Sequence, residues 1–126
     1  MDAALALRVL VVDDEPLIRW SVRQGLTYRG HTVVEASCGA DVVTLLRQAP
    51  DRFDVVVLDY RLPDSRDLAL LDEIRRLAPT SAVVMMTAYA EERVKTDAVD
   101  RGALTVLGKP FQVRALVSLI ESTVRR

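Results

Sequence analysis

Five polar side chains in this sequence follow apolar runs of strand length, and together they could carry out chemistry. They are Asp13, Asp14, Asp59, Thr87 and Lys109. Asp59 is the clearest, because the valine-rich run that it ends is typical of a strand buried on both faces. In an open parallel α/β sheet the carboxyl ends of all strands lie at one edge, where ligands bind. We therefore expect these five side chains to converge on one pocket.

Three carboxylates in a small pocket require a cation. At ~4 Å and an effective dielectric near 20, each close pair of negative charges costs on the order of 4 kcal/mol. Oxygen ligands suit Mg²⁺, which binds through one or two carboxylates and commonly a phosphate, and which neutralises charge on a transferring phosphoryl group. Asp59 is then the candidate nucleophile, as carboxylates are in enzymes that form aspartyl phosphates.

The other side chains of the expected pocket suit a phosphoryl group. The ammonium of Lys109 can pair with a phosphoryl oxygen, or with Asp59 beforehand, and the Thr87 hydroxyl can donate a hydrogen bond that exists only when phosphate is present. Ala88 is small and would leave room for a phosphodonor.

Two larger residues flank the expected pocket. Arg61 and Tyr89 lie two residues after Asp59 and Thr87, and we expect them to narrow water access and slow autodephosphorylation.

Strand and helix patterns alternate along the chain and would position these side chains. Strands are predicted at 7–12, 32–36, 53–59, 82–86 and 103–107, the fourth ending in Thr87. Each is followed by a predicted helix, at 17–29, 39–49, 70–78, 91–101 and 113–124. This alternation predicts a doubly wound parallel sheet with right-handed crossovers. With no linker or repeat, residues 1–126 are predicted to form a single domain.

The composition of the 126-residue chain is that of a globular domain. Hydrophobic residues make up 50%, charged residues 28%, and the net charge is −1, which argues against disorder and membrane spanning. The 17 basic and 18 acidic residues give no reason to expect direct nucleic-acid contact. One Cys and one His are too few for an intrachain disulfide or a usual zinc site, and we read no targeting segment, so we expect a cytoplasmic setting.

Three residues receive structural interpretations at this stage. His31 is interpreted as a turn residue, and Glu15 as a charge at a helix start rather than a ligand. Trp20 lies about 200° around the first helix from Ile18 and Val22, so it should be exposed, with a contact to a following domain as an alternative.

Four fragments in this order and spacing resemble the receiver domains of bacterial two-component response regulators. The fragments are Val-Val-Asp-Asp-Glu-Pro at 11–16, Asp-Tyr-Arg-Leu-Pro-Asp at 59–64, Met-Thr-Ala-Tyr at 86–89 and Lys-Pro-Phe at 109–111. The resemblance implies a flavodoxin-like (βα)5 fold with strand order 2-1-3-4-5. It also implies a phosphorylation-driven switch in place of an enzyme that turns over a separate substrate.

The resemblance assigns roles to individual residues. Asp14 and Asp59 would ligate Mg²⁺ directly, the Arg61 carbonyl would be a third protein ligand, and Asp13 would act through water. Lys109 and Thr87 would be the phosphate and switch contacts. The Lys109–Pro110 peptide would be cis, and the phosphodonor would be a phosphohistidine on a sensor histidine kinase.

Three fragments most resemble receivers of the nitrogen-regulation type, which precede an AAA+ ATPase and a DNA-binding domain. They are Leu-Ile-Arg-Trp-Ser at 17–21, Leu-Pro-Asp-Ser at 62–65 and Val-Met-Met-Thr-Ala-Tyr at 84–89. The resemblance thus implies a module excised from a longer transcription regulator, and leaves open whether phosphorylation makes or breaks a homodimer. Two positions depart from the family pattern. Val106 stands where many receivers carry Tyr or Phe as a switch residue, and Asp67 replaces a common glycine and is expected to begin the third helix.

Other classes of function are weighed against the switch. A phosphohydrolase of the haloacid-dehalogenase kind also uses an Asp nucleophile and Mg²⁺, but usually has a second Asp two residues later, where this chain has Arg61. A non-phosphorylated pseudo-receiver would normally have lost Asp14, Asp59 or Lys109. A nucleotide-binding domain would need a Gly-x-Gly-x-x-Gly turn or a P-loop, and the sequence has neither.

Overall fold

The computed structural model describes residues 6–65, 68–88 and 92–124. Strands and helices alternate throughout these residues, as the sequence predicts. The strands are β1 (Arg8–Val12), β2 (Thr32–Ala36), β3 (Val55–Asp59), β4 (Ala82–Thr87) and β5 (Thr105–Gly108). The helices are α1 (Pro16–Tyr28), α2 (Gly39–Gln48), α3 (Ala69–Leu77), α4 (Glu92–Asp100) and α5 (Val113–Val124).

All five strands are parallel and form one sheet in the order β2-β1-β3-β4-β5. The predicted order is therefore confirmed. In register, Leu10 of β1 lies opposite Val34 of β2 on one side and Val56 of β3 on the other. Because β3 is central and all five of its residues are buried, its valine-rich sequence needs no polar alternation until the sheet ends at Asp59.

Helices cover both faces of the sheet, and each face has its own hydrophobic cluster. Val9, Val11, Val55 and Val57 pack with residues of α1 and α5 on one face. On the other face, strand residues that alternate with these pack against residues of α2, α3 and α4, including Leu46, Leu71 and Ala98. The β-strand period of two thus divides β1 and β3 between the two clusters.

Local sequence explains the start and end of α1. Pro16 occupies the first turn, where its fixed φ suits a helix and its missing N–H costs no hydrogen bond. After α1, Gly30 adopts a φ of 92°, a backbone conformation that L side chains rarely adopt. The chain can therefore turn sharply from α1 into β2.

Element boundaries differ from the predicted ones by a few residues. β3 begins at Val55 rather than residue 53, and β5 spans Thr105–Gly108 rather than 103–107. The described part of α4 spans Glu92–Asp100. Asp67, expected to begin the third helix, lies outside the described residues, and the described part of that helix begins at Ala69.

His31 lies in the turn between α1 and β2, as predicted, but the interpretation that it is only a turn residue is wrong. His31 is buried, its Nδ1 accepts a hydrogen bond from the Leu7 amide at 2.9 Å, and its Nε2 lies 2.7 Å from Glu121 Oε2. Arg29 donates two hydrogen bonds to the same carboxylate. The imidazole therefore connects the start of the sheet to α5, a role that requires burial between elements distant in sequence.

Trp20 is exposed as predicted, with 56% of its surface accessible. In the described residues, no helix is both long and apolar enough to cross a membrane.

Candidate functional site

The predicted site residues meet at the carboxyl edge of the sheet. Asp59 and Thr87 are the last residues of β3 and β4, Asp13 and Asp14 follow β1, and Lys109 follows β5. A cavity of about 220 Å³ at this edge is lined by Asp14, Glu15, Asp59, Arg61, Thr87, Ala88 and Lys109. The parallel topology thus brings together residues almost a hundred positions apart.

Three carboxylates in this site can face a common point. One oxygen from each of Asp13, Asp14 and Asp59 lies within 4.8 Å of the others. Asp13 and Asp59 are buried, whereas Asp14 is exposed. A hard divalent cation such as Mg²⁺ prefers oxygen ligands and usually keeps several bound waters. The buried carboxylates of Asp13 and Asp59 and the exposed carboxylate of Asp14 offer such ligands and leave access for water. The residues present therefore fit a bound Mg²⁺.

Lys109 is a cation of this site that contacts three acidic side chains. Its Nζ lies 2.9 Å from Asp13 Oδ2, 3.3 Å from Glu15 Oε1 and 3.4 Å from Asp59 Oδ1. Burial alone would lower the pKa of Lys109, but the hydrogen bond to Asp13 and the charges of Asp59 and Asp13 outweigh it and raise the pKa. Lys109 is therefore held as an ammonium against the acids.

The carboxyl group of Asp59 has a strongly raised pKa. Burial, followed by the negative charge of Asp13, raises the pKa of Asp59 to about 6, and Lys109 only partly opposes this. The carboxylate is thus poorly solvated and close to another acid when ionised. A second cation near Asp59 would favour the ionised form, which is the nucleophilic form.

The turn after β1 is held in place by short hydrogen bonds. The Asp13 amide donates to the Ala36 carbonyl at 3.2 Å, which extends the β1–β2 ladder by one residue. The Asp13 carboxylate accepts from the Glu15 amide through Oδ1 at 2.9 Å and from Lys109 through Oδ2. Asp13 is therefore both a strand-end acid and the cap of its own turn.

Thr87 and the residues after it form the opposite wall of the cavity. Thr87 is fully buried, and its carbonyl accepts a hydrogen bond from the Lys109 amide at 2.7 Å. Ala88 is exposed at the cavity rim, and the Lys109–Pro110 peptide is cis. Tyr89, assigned with Ala88 to phosphate access, lies outside the described residues.

Arg61 and Val106 are placed differently with respect to the cavity. Arg61 is exposed at the rim, and its amide lies 3.5 Å from Asp59 Oδ1. Val106 lies opposite Met85 in the sheet and packs, partly buried, against the hydrophobic cluster shared with α2, α3 and α4. It contributes an aliphatic side chain where many receivers have an aromatic ring.

Sequence reasoning missed two contributions to this end of the fold. Glu15, interpreted only as a helix-start charge, also contacts Lys109. Asp64, in the loop after β3, accepts hydrogen bonds from the Gly39 and Ala40 amides at 2.7 and 3.0 Å and so caps α2. Gly39 lies close to this cap: a Cβ added at Gly39 would lie 3.2 Å from Asp64 Oδ1. A glycine at the start of the predicted second helix is the sequence feature that could have indicated the cap.

The strand order, the cluster of Asp13, Asp14 and Asp59, and Lys109 after β5 together indicate one class of protein. The family model for the response regulator receiver domain matches residues 9–121. The chain therefore belongs to the response regulator receiver domain family.

Individual relatives and structures agree with this membership. The chain is 36% identical to the transcriptional regulatory protein KdpE of Mycobacterium tuberculosis over 94% of its own length and 51% of KdpE. It is 35% identical to the DNA-binding transcriptional regulator NtrC of Escherichia coli, covering 92% of the chain and 24% of NtrC. The chain thus spans about half of one curated relative and a quarter of the other.

Two solved structures share the fold along almost the whole chain. A CheY-like receiver domain protein from Methanospirillum hungatei superposes with a TM-score of 0.87 at 27% identity, covering 95% of this chain and 94% of the other. NtrX from Brucella abortus superposes with a TM-score of 0.86 at 32% identity, covering 96% of this chain and 27% of NtrX. The predicted flavodoxin-like receiver fold is thereby confirmed.

Proposed function

We propose that Asp59 is the phosphoacceptor of this receiver domain and that a bound Mg²⁺ assists the transfer. Asp14, Asp59 and the Arg61 carbonyl would hold the ion, with Asp13 acting through water. When bound, the ion supplies positive charge that offsets the charge of the transferring phosphoryl group.

One observation carries the proposal: the buried carboxylate of Asp59 shares a small cavity with two other acids, a lysine and a threonine. A purely structural strand-end acid has no need of a neighbouring carboxylate, here Asp13, whose charge opposes its ionisation. The same arrangement suits a nucleophile that must accept a charged group and keep it at the edge of the sheet.

The transfer forms one bond and breaks one bond. An Asp59 carboxylate oxygen attacks phosphorus, a P–O bond forms, and the P–N bond of a phosphohistidine donor breaks. The donor imidazole already carries a proton on its other ring nitrogen, so it takes the P–N electron pair and leaves as the neutral base. Lys109, 3.4 Å from Asp59 Oδ1, can follow the charge onto the phosphoryl oxygens. Thr87 can donate its hydroxyl to the same group.

The switch is proposed to arise from these new contacts. Movement of Thr87 and Lys109 towards the phosphoryl group would bias the loops that follow β3 and β4, and hence the surface around α4. Because Val106 provides no aromatic ring, we expect the loop after β4 to carry most of this change. Arg61 and Tyr89 are proposed to limit water access and so slow autodephosphorylation.

The partners follow from the same proposal. A sensor histidine kinase would supply the phosphoryl group, and residues 1–126 would serve as a single receiver domain within a longer transcription regulator. Similarity to the DNA-binding transcriptional regulator NtrC over most of this chain, but over only about a quarter of NtrC, supports a DNA-binding output domain. An AAA+ output domain is proposed from the resemblance to receivers of the nitrogen-regulation type. Whether phosphorylation makes or breaks a homodimer would decide how the output domains respond.

A stoichiometry experiment separates this switch from a phosphohydrolase. The chain is incubated with Mg²⁺ and an excess of a small-molecule phosphodonor such as acetyl phosphate, and both protein-bound phosphate and released phosphate are followed. We expect up to one phosphoryl group per chain and slow release. Sustained release over many turnovers without a protein-bound form would instead support the hydrolase, in which Arg61 replaces the usual second Asp.

A further inference from the structure

A guanidinium on α1 joins the acidic turn after β1 to the edge strand β2. Arg19 Nη1 donates a hydrogen bond to the Asp13 carbonyl at 2.7 Å, and Arg19 Nε donates to Glu35 Oε1 at 3.1 Å. The Arg19 side chain is only 19% exposed, so it makes these contacts largely out of water. One side chain thus spans three elements next to the candidate cation site.

Glu35 is itself fixed from a second direction. Its other oxygen accepts a hydrogen bond from Arg23 Nη1 at 2.8 Å. The hydrogen bond from Arg23, assisted by that from Arg19, lowers the pKa of Glu35 despite its partial burial. Glu35 is therefore a carboxylate that holds the guanidinium group of Arg19 in one orientation.

The direction of the Asp13 carbonyl affects the geometry of the candidate cation site. This carbonyl belongs to the peptide that links Asp13 to Asp14, so its direction sets the backbone angles on both sides. The preceding peptide is fixed separately, because the Asp13 amide donates to the Ala36 carbonyl of β2. Without Arg19, the peptide between Asp13 and Asp14 would lose the hydrogen bond to its carbonyl and could rotate, which would redirect the Asp14 side chain.

We propose that Arg19, oriented by Glu35, is a positioning residue that keeps the carboxylates of Asp13 and Asp14 aimed at the cation site. The proposal deepens the function proposed above and rests on it. Arg19 donates to the Asp13 carbonyl rather than to the Asp13 carboxylate, so its effect passes through the backbone. Groups that orient metal ligands in this way commonly change metal affinity by about 10- to 100-fold when removed.

Arginine is required for this role by geometry. The planar guanidinium offers several N–H donors in a rigid fork, so it can bind a carbonyl and a carboxylate together. A lysine at position 19 would bring one ammonium, without the fixed directions that serve both partners. Arg19→Lys should therefore keep the charge while losing part of the positioning.

The test is Mg²⁺ affinity of the chain without any phosphodonor, measured by isothermal titration calorimetry. Arg19→Gln is expected to weaken Mg²⁺ binding about tenfold, Glu35→Gln and Arg19→Lys by less. Arg8→Gln is the matched control, because Arg8 makes a similar fork contact to Asp54 near the opposite end of β1. The Mg²⁺ affinity of Arg8→Gln should equal that of the unaltered chain, even if Arg8→Gln and Arg19→Gln lose similar thermal stability.

The outcomes separate this inference from the proposed function. If the unaltered chain binds Mg²⁺ and Arg19→Gln binds it equally tightly, the positioning role is wrong and the cation site stands. If Arg19→Gln fails to fold, the decision rests on Arg19→Lys, whose unchanged affinity would equally overturn the role. If the unaltered chain binds no Mg²⁺, the proposed function fails and this inference fails with it.

Discussion

Lys109 is bound more closely to Asp13 than to the proposed phosphoacceptor. Its Nζ lies 2.9 Å from Asp13 Oδ2 and 3.4 Å from Asp59 Oδ1. The ammonium is thus shared between the ends of β1 and β3, with Asp13 as its nearer partner. A phosphoryl group on Asp59 would have to attract Lys109 away from the fully buried carboxylate of Asp13. The position of the Lys109 ammonium therefore depends on the charge at Asp59.

Removal of Lys109 should destabilise the metal-free protein. Lys109→Ala leaves Asp13 buried without its closest cation, and breaking a buried pair in this way costs about 3–5 kcal/mol. Urea unfolding in the presence of a chelator should show a lower free energy of unfolding, and Lys109→Arg should keep more of it. A loss below about 1 kcal/mol for Lys109→Ala would contradict a stabilising ion pair between Lys109 and Asp13.

Asp59→Asn should stabilise the metal-free protein at neutral pH. The folded-state pKa of Asp59, about 6, lies above its ordinary value of 3.8, because burial and Asp13 oppose ionisation. The cost of ionising Asp59 is therefore absent below pH 3.8 and fully present above pH 6. We expect a gain of about 1 kcal/mol at neutral pH, after solvent screening is allowed for, which shrinks as the pH falls towards 4.

The same substitution at Asp54 provides a control of opposite sign. A hydrogen bond from Arg8 is the main reason that the pKa of Asp54 is lowered. Asp54→Asn should therefore reduce stability at neutral pH, and this loss should diminish in acid. If Asp59→Asn, like Asp54→Asn, lowered stability at neutral pH, the unfavourable burial and the repulsion by Asp13 that are assigned to ionised Asp59 would be contradicted.

Glu121 should anchor α5 through an acid-sensitive contact. The two hydrogen bonds from Arg29, followed by the contact with His31, lower the pKa of Glu121 from 4.5 to about 2 despite opposing burial. Its contribution is thus present above pH 4.5 and is lost as the pH falls through 2. Glu121→Gln should lower the free energy of unfolding by about 1 kcal/mol at pH 7, with the difference vanishing in acid. A pH-independent difference in chemical unfolding would indicate lost packing instead.

Gly25→Ala should weaken the packing between α1 and α5. An added Cβ would overlap Val113 Cγ1, so α5 or the Val113 side chain must move. The strain should cost about 1–3 kcal/mol, outweighing the roughly 0.5–1 kcal/mol that alanine gains over glycine inside a helix. Thermal unfolding of the double variant Gly25→Ala/Val113→Ala tests the cause: it should lose less than the two single losses add up to, whereas simple additivity would point to another reason.

The sequence predicts the fold and the pocket well because both depend on strong, local signals. Valine-rich runs separated by helical stripes determine a parallel sheet, and a parallel sheet necessarily places Asp13, Asp59, Thr87 and Lys109 at one edge. The contacts that escape prediction are polar ones between elements far apart in the chain. These contacts depend on how each helix packs against the sheet, which the hydrophobic periodicity does not specify. Examples are the contacts of His31 with Glu121, of Arg19 with Glu35 and of Asp64 with the start of α2.

The central claim is tested most directly by locating the phosphoryl group. The chain is treated with acetyl phosphate and Mg²⁺, the acyl phosphate is trapped by borohydride reduction, and the modified residue is identified by mass spectrometry of peptides. We predict a single modified residue, Asp59, with no modification in chelator or in Asp59→Asn, and with Asp54→Asn modified normally. Equal phosphate incorporation by Asp59→Asn, or modification of another acid in the unaltered chain, would contradict the assignment of Asp59 as phosphoacceptor.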